Sequence, residues 1–405
     1  MTLQNILYNF EKNKDVVSAK DVINYFKTKR SDDEIVMLTK TLAESGATLH
    51  RGKKAVDIPS TGGPSSLSTI LCPLYLAASG LEVRKLGISG RPAGGIDVLY
   101  QIPGYRTIYN VEEIRKIVSE KVSYFHFESG GVFAPLDEIL FMFRKELNAL
   151  SIPQLAIASL LSKKVSVGIS FVNLDVRAAE FGNFGQTFNE CLENALRFCE
   201  VAKLCGITAK CTVSDANIPY QPYIGRREAL IAIYDLLYGR AEKWLQNHNE
   251  FCWQMCNELI ALNNQISSEN GTTPTLLESM RDAFETNLKL QGTSFDAFAD
   301  VVTNSGRAVI VNSAYSGWIC YNLESIRNSI VYAQNNVHDK QRRQKYTDPV
   351  GVELLIEPGT YIEKGIPIFR LRYRTDDNIN LDISDWYQIS EEKAKKIYSR
   401  KVQVI

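Results

Sequence analysis

Ala55-Val56-Asp57-Ile58-Pro59-Ser60-Thr61-Gly62-Gly63-Pro64-Ser65-Ser66-Leu67-Ser68-Thr69-Ile70-Leu71-Cys72 is the stretch whose reading decides the fold. It reads as a short apolar strand, a tight hydroxyl-rich glycine loop, and a helix running to about Ala78. Paired glycines take positive φ and let the backbone approach a ligand closely. Unpaired amides at the helix start, together with the helix dipole, suit a phosphate or another anion. Ser60, Thr61, Ser65, Ser66, Ser68 and Thr69 gather hydroxyl groups around the same point. On this stretch alone, a plain strand-to-helix turn with a serine cap is the competing reading.

The chain on either side repeats the rhythm. Residues 83–88 read as a second strand, leading into another glycine loop, Ser89-Gly90-Arg91-Pro92-Ala93-Gly94-Gly95. Strand, loop and helix in alternation imply a parallel sheet with its ligand at the strands' C-terminal ends. A strand at 122–127 and a β-α-β unit over 171–213 extend that sheet. Residues 1–48 read as two or three helices from their apolar spacing, as do 136–150 and 154–165, the last restarted by Pro153 in its first turn. Ser159 and Lys163 lie four apart, on one face of that helix. Helices fill roughly 226–300, and 351–373 alternates strand patterns with turns, an antiparallel β unit. Residues 334–345 are the most polar stretch and read as a mobile surface loop.

Composition narrows the class. A length of 405 residues exceeds one typical core, so two or three domains are expected. Lys plus Arg equals Asp plus Glu at 46 each, which leaves no net field to draw in nucleic acid or an acidic membrane. The eight cysteines show no paired metal spacing, so no metal site is expected, and reduced thiols point to the cytoplasm. No apolar run reaches membrane-spanning length, and the first residues do not form a signal peptide.

Taken together, the motifs resemble the pyrimidine nucleoside phosphorylase (thymidine phosphorylase) family. Ser60-Thr61-Gly62-Gly63 is similar to the family's phosphate loop, Ile88-Ser89-Gly90-Arg91 to its second loop, and Gln101-Ile102-Pro103-Gly104-Tyr105 to the segment that follows. Phe133-Ala134-Pro135-Leu136-Asp137, Ser151-Ile152-Pro153 and Ala158-Ser159-Leu160-Leu161-Ser162-Lys163-Lys164 match further family motifs, with unchanged spacing back to Arg144. The resemblance implies an α/β fold: a small all-α lobe plus a large α/β lobe with a central mixed or parallel sheet and a C-terminal β unit. It places the helical lobe at 1–50 and 135–168, the α/β lobe at 51–134 and 169–330, and a C-terminal α/β subdomain at 331–405. It also implies that Arg144, Ser159 and Lys163 grip the pyrimidine. Ser60, Thr61, Gly62, Gly63, Ser68, Thr69, Ser89 and Arg91 would then face the sugar and its attacking group.

The family's loop departs here in three places. Its lysine and histidine before Ser-Thr-Gly-Gly are Ile58 and Pro59, and its phosphate-binding threonine is Ala93. The expectation is a hydroxyl-rich, cation-poor loop in a pentosyltransferase acting on a nucleoside or nucleotide. No cofactor is implied, inorganic phosphate is a candidate co-substrate, and a homodimer is the expected assembly. A catalytically inactive nucleoside-binding sensor or partner subunit is the alternative. A phosphoribosyltransferase is the third reading, although that class carries an aspartate in its loop that this chain lacks.

Overall fold

The computed structural model describes residues 1–90, 92–267, 277–303, 306–336, 347–373, 381–392 and 400–405. The chain opens with α1 (Leu3–Asn13), α2 (Val16–Phe26) and α3 (Asp32–Glu44). Thr2, Asp15 and Ser31 cap them by accepting a backbone N–H three residues on, and Ser31 with Glu34 closes a capping box. The apolar residues read from spacing, Leu3, Ile6, Leu7, Phe10, Val22, Ile23 and Phe26, are all buried.

The sheet follows: β1 (Ala55–Asp57), α4 (Ser68–Ala78), β2 (Glu82–Gly87), α5 (Gly95–Leu99), α6 (Val111–Ser119) and β3 (Tyr124–Glu128). Next come α7 (Pro135–Glu146), α8 (Pro153–Ser166), β4 (Phe171–Ala178), α9 (Phe188–Leu204) and β5 (Thr208–Asp215). The remainder is β6 (Tyr223–Ile224), α10 (Arg226–Leu237), α11 (Lys243–Ser267), α12 (Leu277–Leu290), α13 (Phe295–Thr303), β7 (Arg307–Asn312), β8 (Gly317–Tyr321) and α14 (Leu323–Asn336). Five strands close the series: β9 (Val350–Leu354), β10 (Tyr361–Ile362), β11 (Pro367–Tyr373), β12 (Tyr387–Ser390) and β13 (Val402–Val404).

The main sheet runs β13-β5-β4-β1-β2-β3, parallel except where β13 pairs antiparallel with β5. The fold class is therefore α/β with a mixed sheet. From β1 the chain builds outward through β2 and β3 on one side, then returns to lay β4 and β5 on the other. The switch in direction between β1 and β4 opens a crevice above the strands' C-terminal ends. One face of the sheet, through Phe125, Phe127, Val172, Leu174 and Val176, shares a core with α1–α3 and α7–α9. The other face packs on α4 and α10–α13.

A third core lies under the C-terminal strands. β9 and β11 pair antiparallel, as the turn signals predict, but β6 and β7 join them from earlier in the chain. The boundary placed at 330/331 falls inside α14. Polarity also misleads at the start of the 334–345 stretch. Gln334 sits in α14, buried, donating through Nε2 to the Pro92 carbonyl at 3.0 Å. Residues 337–345 lie outside the described residues. No helix among the described residues is long and apolar enough to cross a membrane.

Candidate active site

Gly62 and Gly63 turn the backbone through φ values of 91° and 135°, which side-chain-bearing residues rarely adopt. Ser65 also takes a positive φ of 61°. Its strain is offset by two long-range bonds: its Oγ accepts the Tyr220 amide and its carbonyl accepts Gln221 Nε2, both at 2.9 Å. On the opposite side, Asp175 of β4 takes the loop into the sheet. Its amide donates to Pro59, its carbonyl accepts from Thr61, and Ser60 bridges it in parallel register.

This loop forms one wall of a cavity of about 270 Å³. Ser60, Thr61, Gly62, Gly63 and Thr69 line it, and so do Arg144, Ser159 and Lys163 from α7 and α8 across the cleft. Two motifs 75 or more residues apart in sequence thus meet at one cavity, with the apolar side chains of Phe141 and Leu160 beside the trio. Lys163 donates to Ser159 Oγ at 3.0 Å, the partner its spacing predicts, and forms a buried ion pair with Asp137. Arg144 fans its guanidinium over the carbonyls of Ala149, Leu150 and Leu155, at 3.0–3.2 Å, and so fixes the α7–α8 turn.

Two expected substrate contacts sit off the cavity wall. Ser68 is buried, donating to Asp175 Oδ2 and accepting from Arg177, each at 2.7 Å. Ser89 donates instead to Glu128 at 2.7 Å. Both hydroxyls are held by internal charge. Arg91 lies outside the described residues.

The expectation of a cation-poor loop is overturned by β4. Arg177 reaches from that strand to Gly63, its Nη1 donating to the carbonyl at 3.1 Å while Nε and Nη2 bind Asp175. Below the loop, Asp57 lies between Lys85 at 2.8 Å and Lys164 at 2.5 Å. Burial works to raise its carboxyl, but Lys164 and then Lys85 outweigh it and hold it down at about 2. His126 also lines the cavity. Burial, then the charge of Lys85, pushes its imidazole down to about 3, so it is neutral at ordinary pH, with Nδ1 on Tyr124 Oη at 3.1 Å.

Sequence reasoning missed Arg177 and His126, although a signal was present. Asn173, Asp175 and Arg177 alternate along a strand buried at every position, and Tyr124, His126 and Glu128 do the same in β3. Polar residues at every second place in a fully buried strand need partners, or a ligand, on that face. Among the described residues, Lys85, Arg144, Lys163, Lys164, Arg177 and Arg327 line the cavity, against the carboxylates of Asp57, Asp137 and Asp175 at or behind its walls. The excess is positive, in a half-enclosed space where charge is weakly screened, and an anion fits there.

No family model matches the chain. It is 24% identical over 386 residues to the pyrimidine-nucleoside phosphorylase of Staphylococcus epidermidis, an alignment spanning 91% of this chain and 87% of that protein. It is 29% identical over 211 residues to the AMP phosphorylase of Methanococcus aeolicus, covering 50% of this chain and 41% of the relative. Among solved structures it resembles the anthranilate phosphoribosyltransferase of Thermus thermophilus, with a TM-score of 0.51 at 17% identity, over 75% of this chain and 95% of that one. That likeness speaks for the fold, and the sequence likeness runs through the loop and both helices that wall the cleft. Over most of its length the chain is thus distantly similar to pyrimidine-nucleoside phosphorylases.

Proposed function

We propose that this protein is a pentosyltransferase that cleaves the glycosidic bond of a pyrimidine-type nucleoside and passes the sugar to phosphate. The observation that carries the reading is that Arg144, Ser159 and Lys163 line one cavity together with Ser60, Thr61, Gly62, Gly63 and Thr69. A phosphate oxygen forms a bond to the sugar C1 as the bond from C1 to the base nitrogen breaks. The electron pair of that bond leaves with the base and spreads to its carbonyl oxygens, and solvent supplies the proton that neutralises it. Cationic donors beside those oxygens stabilise charge that develops only in the transition state. Lys163 and Arg144 line the cavity and are the cations that would meet this charge, with Ser159 hydrogen-bonded to the lysine. The positive excess of the cleft suits the incoming phosphate, so the loop works without the family's lysine at Ile58.

The test is to incubate the purified protein with uridine, thymidine and cytidine, with and without inorganic phosphate, and to follow free base and pentose 1-phosphate by chromatography. Base release that requires phosphate is expected. Release without phosphate overturns the acceptor assignment. No release under either condition refutes the enzymatic reading.

A further inference from the structure

Among the described residues, five of the six cations that border the cleft are tied to partners in the protein. Lys85 and Lys164 share Asp57, Lys163 holds Asp137, Arg177 holds Asp175, and Arg144 is spread over three carbonyls. Arg327 differs. It lines the cavity from α14, half-buried, and makes no hydrogen bond or ion pair among the described residues. A partly desolvated guanidinium with no counter-charge is costly unless a ligand completes it.

Its position is built. Arg327, Ile330 and Gln334 recur at three and seven residues, on one face of α14. Ile330 lines the cavity beside Arg327, and Gln334 clamps the helix to the second glycine loop through the Pro92 carbonyl. Among that loop's described residues, several donors are missing or already spent. Pro92 has no N–H, Ala93 has no hydroxyl, the Gly90 amide is taken by Asp97 at 2.8 Å, and Ser89 is taken by Glu128.

We infer that Arg327 is an anion-binding residue of the cleft, receiving a phosphoryl group in the cavity that Pro92 and Ala93 also line. A planar guanidinium binds phosphate oxygens in a two-pronged, charge-assisted arrangement that Ser89, Gly90, Pro92 and Ala93 do not offer. Two sources carry that chemistry: free inorganic phosphate, or the 5′-phosphate of a nucleotide. The inference rests on the reading of the cleft as a nucleoside site.

The experiment is calorimetric binding of uridine, uridine 5′-monophosphate and inorganic phosphate to the wild type, Arg327→Gln and Arg327→Lys. In Arg327→Gln, the phosphoryl ligand is expected to bind about tenfold or more weakly, as loss of one charge-assisted contact implies, while uridine keeps its wild-type affinity. Arg327→Lys should recover part of the loss. A loss confined to inorganic phosphate assigns the acceptor, and one confined to the monophosphate assigns the 5′-phosphate. Equal weakening of all three ligands, no change in any, or a wild type that binds neither phosphoryl ligand overturns the inference. If uridine fails to bind the wild type while a phosphoryl ligand binds through Arg327, the inference stands and the nucleoside reading falls.

Discussion

Replacing Lys163 with methionine removes a cation from the base end of the cleft and also the partner of a buried carboxylate. The Asp137 side chain is 1% exposed and that of Lys163 11%, so the pair is almost fully desolvated. Breaking a buried pair from one side leaves an uncompensated charge, at a cost of about 3–5 kcal/mol, a large part of a typical domain's stability. Lys163→Met alone should therefore unfold at clearly lower urea concentration. Lys163→Met combined with Asp137→Asn replaces both charges with neutral groups of similar shape, and should return to within about 1 kcal/mol of the wild type. Binding should not recover with it. Loss of a charge-assisted bond to the base should leave the double variant about ten- to a hundredfold weaker for uridine by calorimetry. Stability and binding thus part company in one protein. A double variant as stable as the wild type that binds uridine equally well would refute the role of Lys163 in holding the base, and a single variant of wild-type stability would refute the buried pair.

Asp57 makes the protein acid-sensitive in a defined window. Its carboxyl is held at about 2 in the folded protein against an ordinary 3.8, so the unfolded chain takes up the proton first. The stabilisation this brings, about 2 kcal/mol, is complete above about pH 4 and is lost as pH falls towards about 2. The gap in urea-unfolding free energy between wild type and Asp57→Asn should narrow by about that amount between about pH 5 and about pH 2, and a constant gap would contradict the ion triplet. Gly351→Ala is expected to be poorly tolerated, because a Cβ there falls 1.7 Å from Glu228 Oε2 and displaces the carboxylate from Arg372, which it binds at 2.6–3.0 Å. Thermal unfolding should drop sharply for this variant, and an unchanged midpoint would show the clasp between α10 and β11 to be dispensable.

The parallel units and the helices were legible because each carries its own periodicity over many residues. Arg144, Ser159 and Lys163 were singled out by the resemblance of the motifs around them, spacing alone placing only Ser159 and Lys163 on one helix face. Arg177, His126 and Arg327 were not, since each reaches the cleft only through the sheet order or through the docking of α14, which no local pattern encodes. Ser68 and Ser89 mislead for the opposite reason. Hydroxyls in a glycine loop read as ligand donors, yet here two of them are spent on Asp175 and Glu128. Gln334 shows the limit of composition, as its amide is buried because one carbonyl, that of Pro92, meets it. β13 is only three residues long, and its pairing with β5 is a long-range event with no signal in Val402-Gln403-Val404.

The two-sided tethering of the Ser60–Ser66 loop bears on how the cleft divides its labour. Bonds to Asp175, Arg177, Tyr220 and Gln221 hold the loop on both flanks before any ligand arrives. Fixing a free backbone costs about 1–2 kcal/mol of entropy per residue, and here folding has already met that cost. A ligand settling on this wall has little left to order, so its heat of binding translates into affinity with little entropic loss from the loop. What ordering a ligand still requires then falls to the other wall of the cleft, which α7 and α8 supply.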